Sequence, residues 1–457
     1  MPAHAPPAEA TASSASDASF STVALLDVGL VRHFLELGDD GSLTRDTVVD
    51  VSSDGQRVGC ARKSRLLVLQ PLADISLPPT QLSLKNDEVR CLQWAELQAL
   101  PPHLAALLLV GGASGRLRAY TPAGALVWSA WPHASPLVRL RLHTSGSVAA
   151  DLSCVYAGGI MAHVPAALLA EKIAAAATTE AEAPEAEGGG GGADDFAVCE
   201  LEGAAAAHDA VCAGELPPLP LDVSDPRRAA EQQPLVFLLA TGGAQSALQL
   251  HLFDANGARI DARRAVVAAG RAAVGVLSGL ASWGLGERAA GRLREGVGRV
   301  AAALPEAAPS AVREMSSCVR DWRDAPRVFN ALALSPCRRW AAATDSLGRV
   351  LLLEARTLVV LRVWKGYRDA QVGWCGGGGG GLALAIYAPR RGLLELWRVP
   401  LGARLHACAV GADCVLLEAP PPLRPPPTAT AADHGPCFLL QPSGALSVLT
   451  AGAPHPE

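Results

Sequence analysis

The chain of 457 residues carries a net charge of −5 and is 50% hydrophobic but only 18% charged, which supplies more apolar surface than a disordered chain has. Gly (45 residues) and Pro (34 residues) are too frequent for a coiled coil or a long-helix protein. The acidic balance offers no concentrated basic field, so no nucleic acid is expected as a partner.

The cysteines and the N-terminal residues indicate the compartment. Eleven cysteines are scattered through apolar runs without a Cys-x-x-Cys motif, which is typical of reduced core residues. Residues 1–20 contain no basic region followed by an apolar stretch, so we predict a disordered N-terminus and no secretory signal. The sequence contains no run of about 18 apolar residues, so we predict no membrane-spanning helix. We therefore expect a cytoplasmic protein.

Short apolar strands joined by polar, glycine-containing turns recur along the chain. Residues 48–69 show this pattern, and residues 331–353 repeat it. The turns contain Gly because hairpin turns adopt positive φ angles that a Cβ atom disfavours. One such sheet cannot cover its own apolar face, so the repeated units are expected to stack around an axis.

The repeats predict an all-β fold, a β-propeller of about seven blades, over residues 21–450. The candidate blades are residues 20–45, 46–72, 89–130, 136–165, 234–262, 328–364 and 382–409, with residues 436–450 closing the ring beside residues 20–37.

Low-complexity stretches interrupt these units. Runs of Gly or of Pro, Ala and Glu bury too little surface to offset their ordering entropy. We predict disordered inserts at about residues 178–232, 375–381 and 418–435, and a tail at residues 451–457.

Two stretches predict helices instead of strands. One is a short Ala-rich helix at residues 165–177, and the other is a longer helical insertion at about residues 263–304. We interpret the longer helix as packing on the side of the propeller. An amphipathic helix lying on a membrane or a partner is the alternative.

No catalytic motif is recognisable. Residues Gly284–Ala289 match the Gly-x-Gly-x-x-Ala motif of dinucleotide-binding proteins, but no predicted strand precedes them, as that motif requires. His208 and Cys212 lie in a predicted loop, and Cys408 and Cys414 lack a second ligand pair at zinc spacing. The isolated histidines are interpreted as structural: His33, His143, His251 and His406. We therefore expect no enzyme activity, no catalytic residue, no cofactor and no metal.

One segment is unusually rich in aromatic and charged residues. The run WKGYRDAQVGW (364–374) and the companion AIYAPRRGLLELW (385–397) combine scarce aromatic residues with Lys and Arg. The tryptophans are interpreted mainly as strand-end packing residues, whereas an exposed Arg/aromatic patch would have the composition of an interface. The candidate partner-binding residues are Trp364, Lys365, Gly366, Tyr367, Arg368, Asp369, Trp374, Tyr387, Arg390 and Arg391.

These runs also carry a resemblance. Residues 334–374 and 385–397 are similar to the N-terminal portion of the regulatory, non-catalytic subunit of the Rab-three GTPase-activating protein complex. Weaker similarities follow in the same order at residues 110–120, 136–140 and 152–176, so the resemblance spans about residues 46–410. It implies a β-propeller, in agreement with the repeats.

The resemblance also implies partners and a location. The expected partners are a Rab-GAP catalytic subunit, whose arginine accelerates GTP hydrolysis, and Rab small GTPases. The pair would act in membrane traffic, through GTPase activation or nucleotide exchange, with peripheral contact at endoplasmic reticulum or vesicle membranes. The alternative is a generic β-propeller scaffold of a coat, tethering or ubiquitin-ligase assembly without Rab regulation.

Overall fold

The computed structural model describes residues 19–37, 47–70, 78–97, 100–145, 149–178, 196–201, 203–215, 234–242, 247–253, 316–324, 326–377, 381–400, 402–419 and 437–450. Within these residues, 28 strands form seven sheets of four strands each. The described residues include two α-helices, and neither is long and apolar enough to cross a membrane.

The strands follow one another in a regular order. The chain begins with β1 (Ser19–Leu25) and α1 (Val28–Phe34). The first blade contains β2 (Val48–Val51), β3 (Val58–Arg62), β4 (Arg65–Leu69) and β5 (Thr80–Ser83). The second contains β6 (Val89–Glu96), β7 (Ala106–Gly112), β8 (Leu117–Tyr120) and β9 (Leu126–Ala130). The third contains β10 (Leu137–Ser145), β11 (Ala149–Tyr156), β12 (Ile160–Pro165) and, after α2 (Ala166–Thr178), β13 (Ala197–Glu200).

The remaining blades keep this order until the last one. The fourth contains β14 (Ala207–Glu215), β15 (Leu235–Thr241), β16 (Ala247–Phe253) and β17 (Ser316–Arg323). The fifth contains β18 (Phe329–Leu334), β19 (Trp340–Asp345), β20 (Arg349–Glu354) and β21 (Val360–Lys365). The sixth contains β22 (Gln371–Gly377), β23 (Gly381–Ala388), β24 (Leu393–Arg398) and β25 (Arg404–Ala409). The seventh contains β26 (Val415–Glu418), β27 (Cys437–Leu440) and β28 (Ala445–Thr450), with β1 as its fourth strand.

The first strand of each blade lies on the inside of the ring. These inner strands contact one another in an unbroken cycle: β2, β6, β10, β14, β18, β22, β26 and again β2. Every blade is antiparallel, so the connections between blades and the turns between second and third strands lie at the same end of the propeller. We call this the upper end.

The N-terminal strand closes the ring. β1 pairs antiparallel with β28, with Phe20 opposite Leu449 and Leu25 opposite Ala445. Leu26 then donates its N–H to the Gly444 carbonyl at 2.9 Å. The seventh blade is therefore shared between the two ends of the chain, which ties the first blade to the last.

The core is divided among the junctions between blades. The buried residues form seven hydrophobic clusters, one between each neighbouring pair of blades. Central strands such as β15 and β16 are buried at every position because both faces of their sheets are covered. Helix α2 adds Leu169 and Ile173 to the cluster between the second and third blades.

The fold confirms the predicted seven-bladed β-propeller, including its closure by residues 436–450 beside the N-terminal strand. The short helix predicted at residues 165–177 is α2. The helical insertion at about residues 263–304 lies outside the described residues, as do residues 1–18 and 451–457.

Three expectations about the blades and inserts were wrong. The stretch 375–381 is not an insert throughout, because residues 375–377 end β22 and pair with residues 381–383 of β23. Residues 20–45 do not form a blade, because β1 pairs with β28 and is followed by α1, whose N-terminus is capped by Asp27. The stretch 178–232 is not wholly an insert, because it contains β13 and β14. Small residues such as Ala210 and Cys212 are buried there, and an Ala-rich strand resembles a low-complexity tract in sequence.

The closure predicts a large effect of a single methyl group at Gly444. A Cβ atom there would lie 2.4 Å from the Leu26 carbonyl oxygen and 2.6 Å from Val28 Cγ2. Gly411 is the matched control, since it has the same φ of +88° but no atom within 4 Å of its Cβ position. We expect Gly444→Ala to lower the free energy of unfolding by about 1–3 kcal/mol more than Gly411→Ala, measured by denaturant titration. Equal losses would show that closure does not depend on this contact.

Candidate functional site

The segment 364–374 crosses from the fifth blade to the sixth. Trp364 and Lys365 end β21, residues 366–370 form the connection at the upper end, and Trp374 lies in β22. Residues 389–391 form a 3₁₀ turn between β23 and β24, also at the upper end. The fold therefore brings the two sequence runs to the same blade junction.

The aromatic members of the candidate set are buried. Trp364, Tyr367 and Trp374 belong to the cluster between the fifth and sixth blades. Trp364 meets Trp397 edge-on with the ring centroids 5.7 Å apart, and Arg362 lies over both rings. The interpretation of the tryptophans as packing residues is confirmed.

Tyr367 anchors the connection between these blades. Its hydroxyl donates to the buried Glu395 carboxylate, which also accepts from Arg404 at 2.8 Å. Its backbone N–H donates to the Gly348 carbonyl at 2.8 Å. Burial and the hydrogen bond to Glu395 raise the pKa of Tyr367 to about 12, so the phenol stays protonated and keeps donating.

Tyr387 has a similar structural role one junction further on. Its hydroxyl donates to the Gly411 carbonyl and accepts the Cys414 N–H, both at 3.0 Å. Burial raises the pKa of Tyr387 to about 12. These bonds join β23 to the connection between the sixth and seventh blades, and they leave the phenol unavailable to a partner.

The charged members of the candidate set, and Gly366 with them, are exposed. Lys365, Gly366, Arg368, Asp369, Arg390 and Arg391 all face solvent. Arg390 Nε lies 2.6 Å from Asp369 Oδ2, and the Arg391 guanidinium lies over the Tyr367 ring at 5.5 Å. The structure thus divides the ten candidates into a buried scaffold and an exposed surface, and their role in partner binding stays a prediction.

Sequence reasoning missed one cation on this surface. Arg349 begins β20 and lies directly opposite Lys365 across the β20–β21 pair. Only the strand register reveals this neighbour, because sixteen positions of sequence separate the two residues. We define the cationic patch as Arg349, Lys365, Arg368, Arg390 and Arg391.

The inner strands carry a second group of charges that the sequence did not reveal. Arg141 Nη2 donates to Asp209 Oδ2 at 2.9 Å and to the Leu332 carbonyl at 2.6 Å. Arg141 Nη1 lies 3.8 Å from Glu418 Oε2, so one guanidinium in the central channel links the third, fourth, fifth and seventh blades. The sequence had shown no such convergence because each residue lies in a different repeat.

The channel acids differ in their protonation. Burial would raise the pKa of Asp209, but Arg141 and Arg139 outweigh it and hold the pKa below its usual value. Desolvation raises the pKa of Asp50 and of Glu418 to about 7. Both also accept backbone N–H groups from neighbouring inner strands, Asp50 from Trp94 and Glu418 from Trp374. The channel residues therefore bond to one another and to the backbone, as structural groups do.

Among the described residues, the histidines and cysteines form no recognisable reactive site. His208 and Cys212 lie in β14, not in a loop, and His208 Nε2 lies 3.2 Å from the Asn330 carbonyl oxygen. His251 is buried between Ser316 and Gln249, and burial lowers its pKa to about 4. In the part of the chain that the structure describes, no cluster of three or more His, Cys, Asp or Glu side chains could hold a metal.

The packing role of Trp364 gives a direct comparison with its neighbour. We expect Trp364→Ala to lower the free energy of unfolding by about 3–5 kcal/mol, because it empties a buried aromatic site. Lys365→Ala removes an exposed side chain and should change the free energy of unfolding by no more than about 0.5 kcal/mol. Denaturant titration of both variants checks this, and similar losses would contradict the division into scaffold and surface.

The raised pKa of Asp50 predicts a pH-dependent effect of Asp50→Asn. Between its ordinary pKa of 3.8 and about 7, folded Asp50 holds a proton that the unfolded chain releases, so its contribution to stability falls as the pH rises. Asn cannot ionise and keeps an acceptor for the Trp94 N–H. We expect Asp50→Asn to be nearly neutral near pH 3.5, where Asp50 is largely protonated in both states, and, after allowance for solvent screening, stabilising by about 1–2 kcal/mol at pH 8. Thermal unfolding across this range measures the difference, and a constant difference would mean that Asp50 titrates normally.

Comparison with known proteins adds the identity of the family. The chain matches the family described as "Rab3 GTPase-activating protein regulatory subunit N-terminus" over residues 43–378. It is 38% identical over 86 residues to the Rab3 GTPase-activating protein regulatory subunit of Caenorhabditis elegans. That segment is 18% of this chain and 6% of the worm protein, so the chain spans a small part of its curated relative.

The solved structures with distant similarity to the chain include the following two. Saccharomyces cerevisiae Sqt1 is 10% identical with a TM-score of 0.45, over 89% of this chain and 83% of that one. The mitotic checkpoint complex contains a chain 11% identical with a TM-score of 0.45, over 98% of this chain and 97% of that one. The family match covers most of the chain and includes the segment 364–374, and the chain therefore belongs to the Rab3 GTPase-activating protein regulatory subunit family.

Proposed function

We propose that this chain is a non-catalytic regulatory subunit that binds a Rab-GAP catalytic subunit and, with it, regulates Rab small GTPases in membrane traffic. The observation that carries this proposal is the family match over residues 43–378. The strands of the first five blades lie within that match, and so does the connection to the sixth.

The architecture supports a binding role. A closed ring of seven blades holds its upper-end loops on a rigid support, an arrangement suited to presenting side chains to another protein. The arginine that stabilises the transition state of GTP hydrolysis would come from the catalytic subunit. This chain would hold that subunit and the GTPase together, in the cytoplasm and at the surface of endoplasmic reticulum or vesicle membranes.

The proposal is tested by reconstitution with the Rab-GAP catalytic subunit of the same organism. We expect the two proteins to elute together in size-exclusion chromatography. In single-turnover GTP hydrolysis by a Rab3-type GTPase, this chain alone should leave the rate unchanged, whereas the pair should exceed the catalytic subunit alone.

A catalytic subunit lacking its catalytic arginine is the control, because the pair should then lose the rate increase and still co-elute. Absence of a complex would contradict the proposal. A stable complex with coat, tether or ubiquitin-ligase components, and no effect on Rab nucleotide turnover, would favour the generic scaffold instead.

A further inference from the structure

The cationic patch carries a local excess of positive charge. The three loop segments around it, residues 346–348, 365–370 and 389–392, contain one acidic residue, Asp369. The patch thus combines five basic residues with one acidic residue in these segments, on a protein whose net charge is −5. Such a local reversal of sign attracts anionic groups more strongly than the mean charge would suggest.

Two of these basic side chains face each other with no acidic side chain paired to either in the part of the chain that the structure describes. Arg349 and Lys365 are directly paired across β20 and β21, and like charges at such positions destabilise a sheet. Neither forms an ion pair with any residue that the structure describes, in contrast to Arg390 with Asp369. An anionic group placed between them would remove the repulsion.

The patch is held in place before any partner arrives. The Gly348 backbone packs so closely on Arg368 that a Cβ atom on Gly348 would lie 2.7 Å from Arg368 Cγ. Arg391 lies over the ring of Tyr367, which is itself fixed by Glu395. Much of the entropy cost of ordering this surface is therefore met during folding, which favours affinity.

Apolar side chains lie beside the cations. Leu347 is 45% exposed and immediately precedes Gly348, and Val363 is 41% exposed on the same strand as Lys365. A ligand that combined carboxylates with an aliphatic side chain would cover both kinds of surface.

We propose that the cationic patch binds an acidic, leucine-containing segment of the catalytic subunit, an inference that rests on the proposed function. Asp369 is already neutralised by Arg390, so the ligand meets the remaining cations of the patch. The exposed side chains of Leu347 and Val363 beside these cations favour a polypeptide over a membrane as the ligand, because a polypeptide can present carboxylates and an aliphatic side chain at fixed spacing, whereas an anionic headgroup surface is polar throughout.

The experiment compares charge-reversal variants of the full chain. Arg349→Glu places a negative charge opposite Lys365 across β20 and β21. The unfolding temperature of this variant should therefore equal or exceed that of the wild type, while its binding of the probes weakens. The probes are the catalytic subunit and a labelled peptide of repeating Glu-Glu-Leu triplets. We expect Arg349→Glu and Arg368→Glu each to weaken binding of both probes by about tenfold, with a smaller dependence on salt.

Two exposed arginines on other blades serve as charge-reversal controls. Arg90 pairs with Glu88 on the second blade, and Arg323 pairs with Asp321 on the fourth. Arg90→Glu and Arg323→Glu should change binding less than about twofold. An equal loss in all four variants would overturn the proposal, because it would show an effect of net charge only.

The remaining outcomes separate the two proposals. Binding to phosphatidylserine vesicles but not to the peptide would overturn the acidic-segment proposal in favour of a membrane. If the peptide binds with the expected dependence on Arg349 and Arg368 but the catalytic subunit does not associate, the acidic ligand class is supported and the proposed function fails.

Discussion

The pairing of β1 with β28 is the constraint on which the rest of the propeller depends. Each blade buries its faces against its two neighbours, so the seven hydrophobic clusters are complete only when the ring is closed. Across the channel, Arg141 connects four of the blades, and Asp209 accepts the Leu332 N–H at 2.9 Å. Closure at the outer edge and charge pairing at the inner edge therefore meet in the seventh blade, where β1 forms the outermost strand and Glu418 lies on the innermost.

The junction between the fifth and sixth blades shows how a buried arrangement supports a surface. Trp364, Tyr367 and Trp374 fill the space between the sheets. Their burial fixes the backbone between them, and Lys365 and Arg368 project from that backbone into solvent. The sequence run is aromatic and basic for two separate reasons: the aromatic residues pack, and the basic residues are presented.

Local patterns allowed the blades, their glycine turns and the packing role of the tryptophans to be predicted, because hairpins arise from residues close in sequence. The same logic failed at residues 20–45, since the partner of β1 lies at the other end of the chain. It also failed for β14, whose small buried residues resemble a spacer. The channel charges and the Arg349–Lys365 pair depend on which strands become neighbours, information that no short motif contains.

The shared seventh blade has a consequence for how the protein is made. The hydroxyl oxygens of Thr22 and Ser447 lie 3.5 Å apart, yet the two residues are 425 positions apart in the chain. At a synthesis rate of roughly 5–20 residues per second, β1 waits roughly 20–85 seconds for β28 to be translated. During that time its backbone edge is unpaired, and such an edge invites pairing with other chains. The first strand of the nascent propeller is thus open to pairing with other chains until the last strand leaves the ribosome.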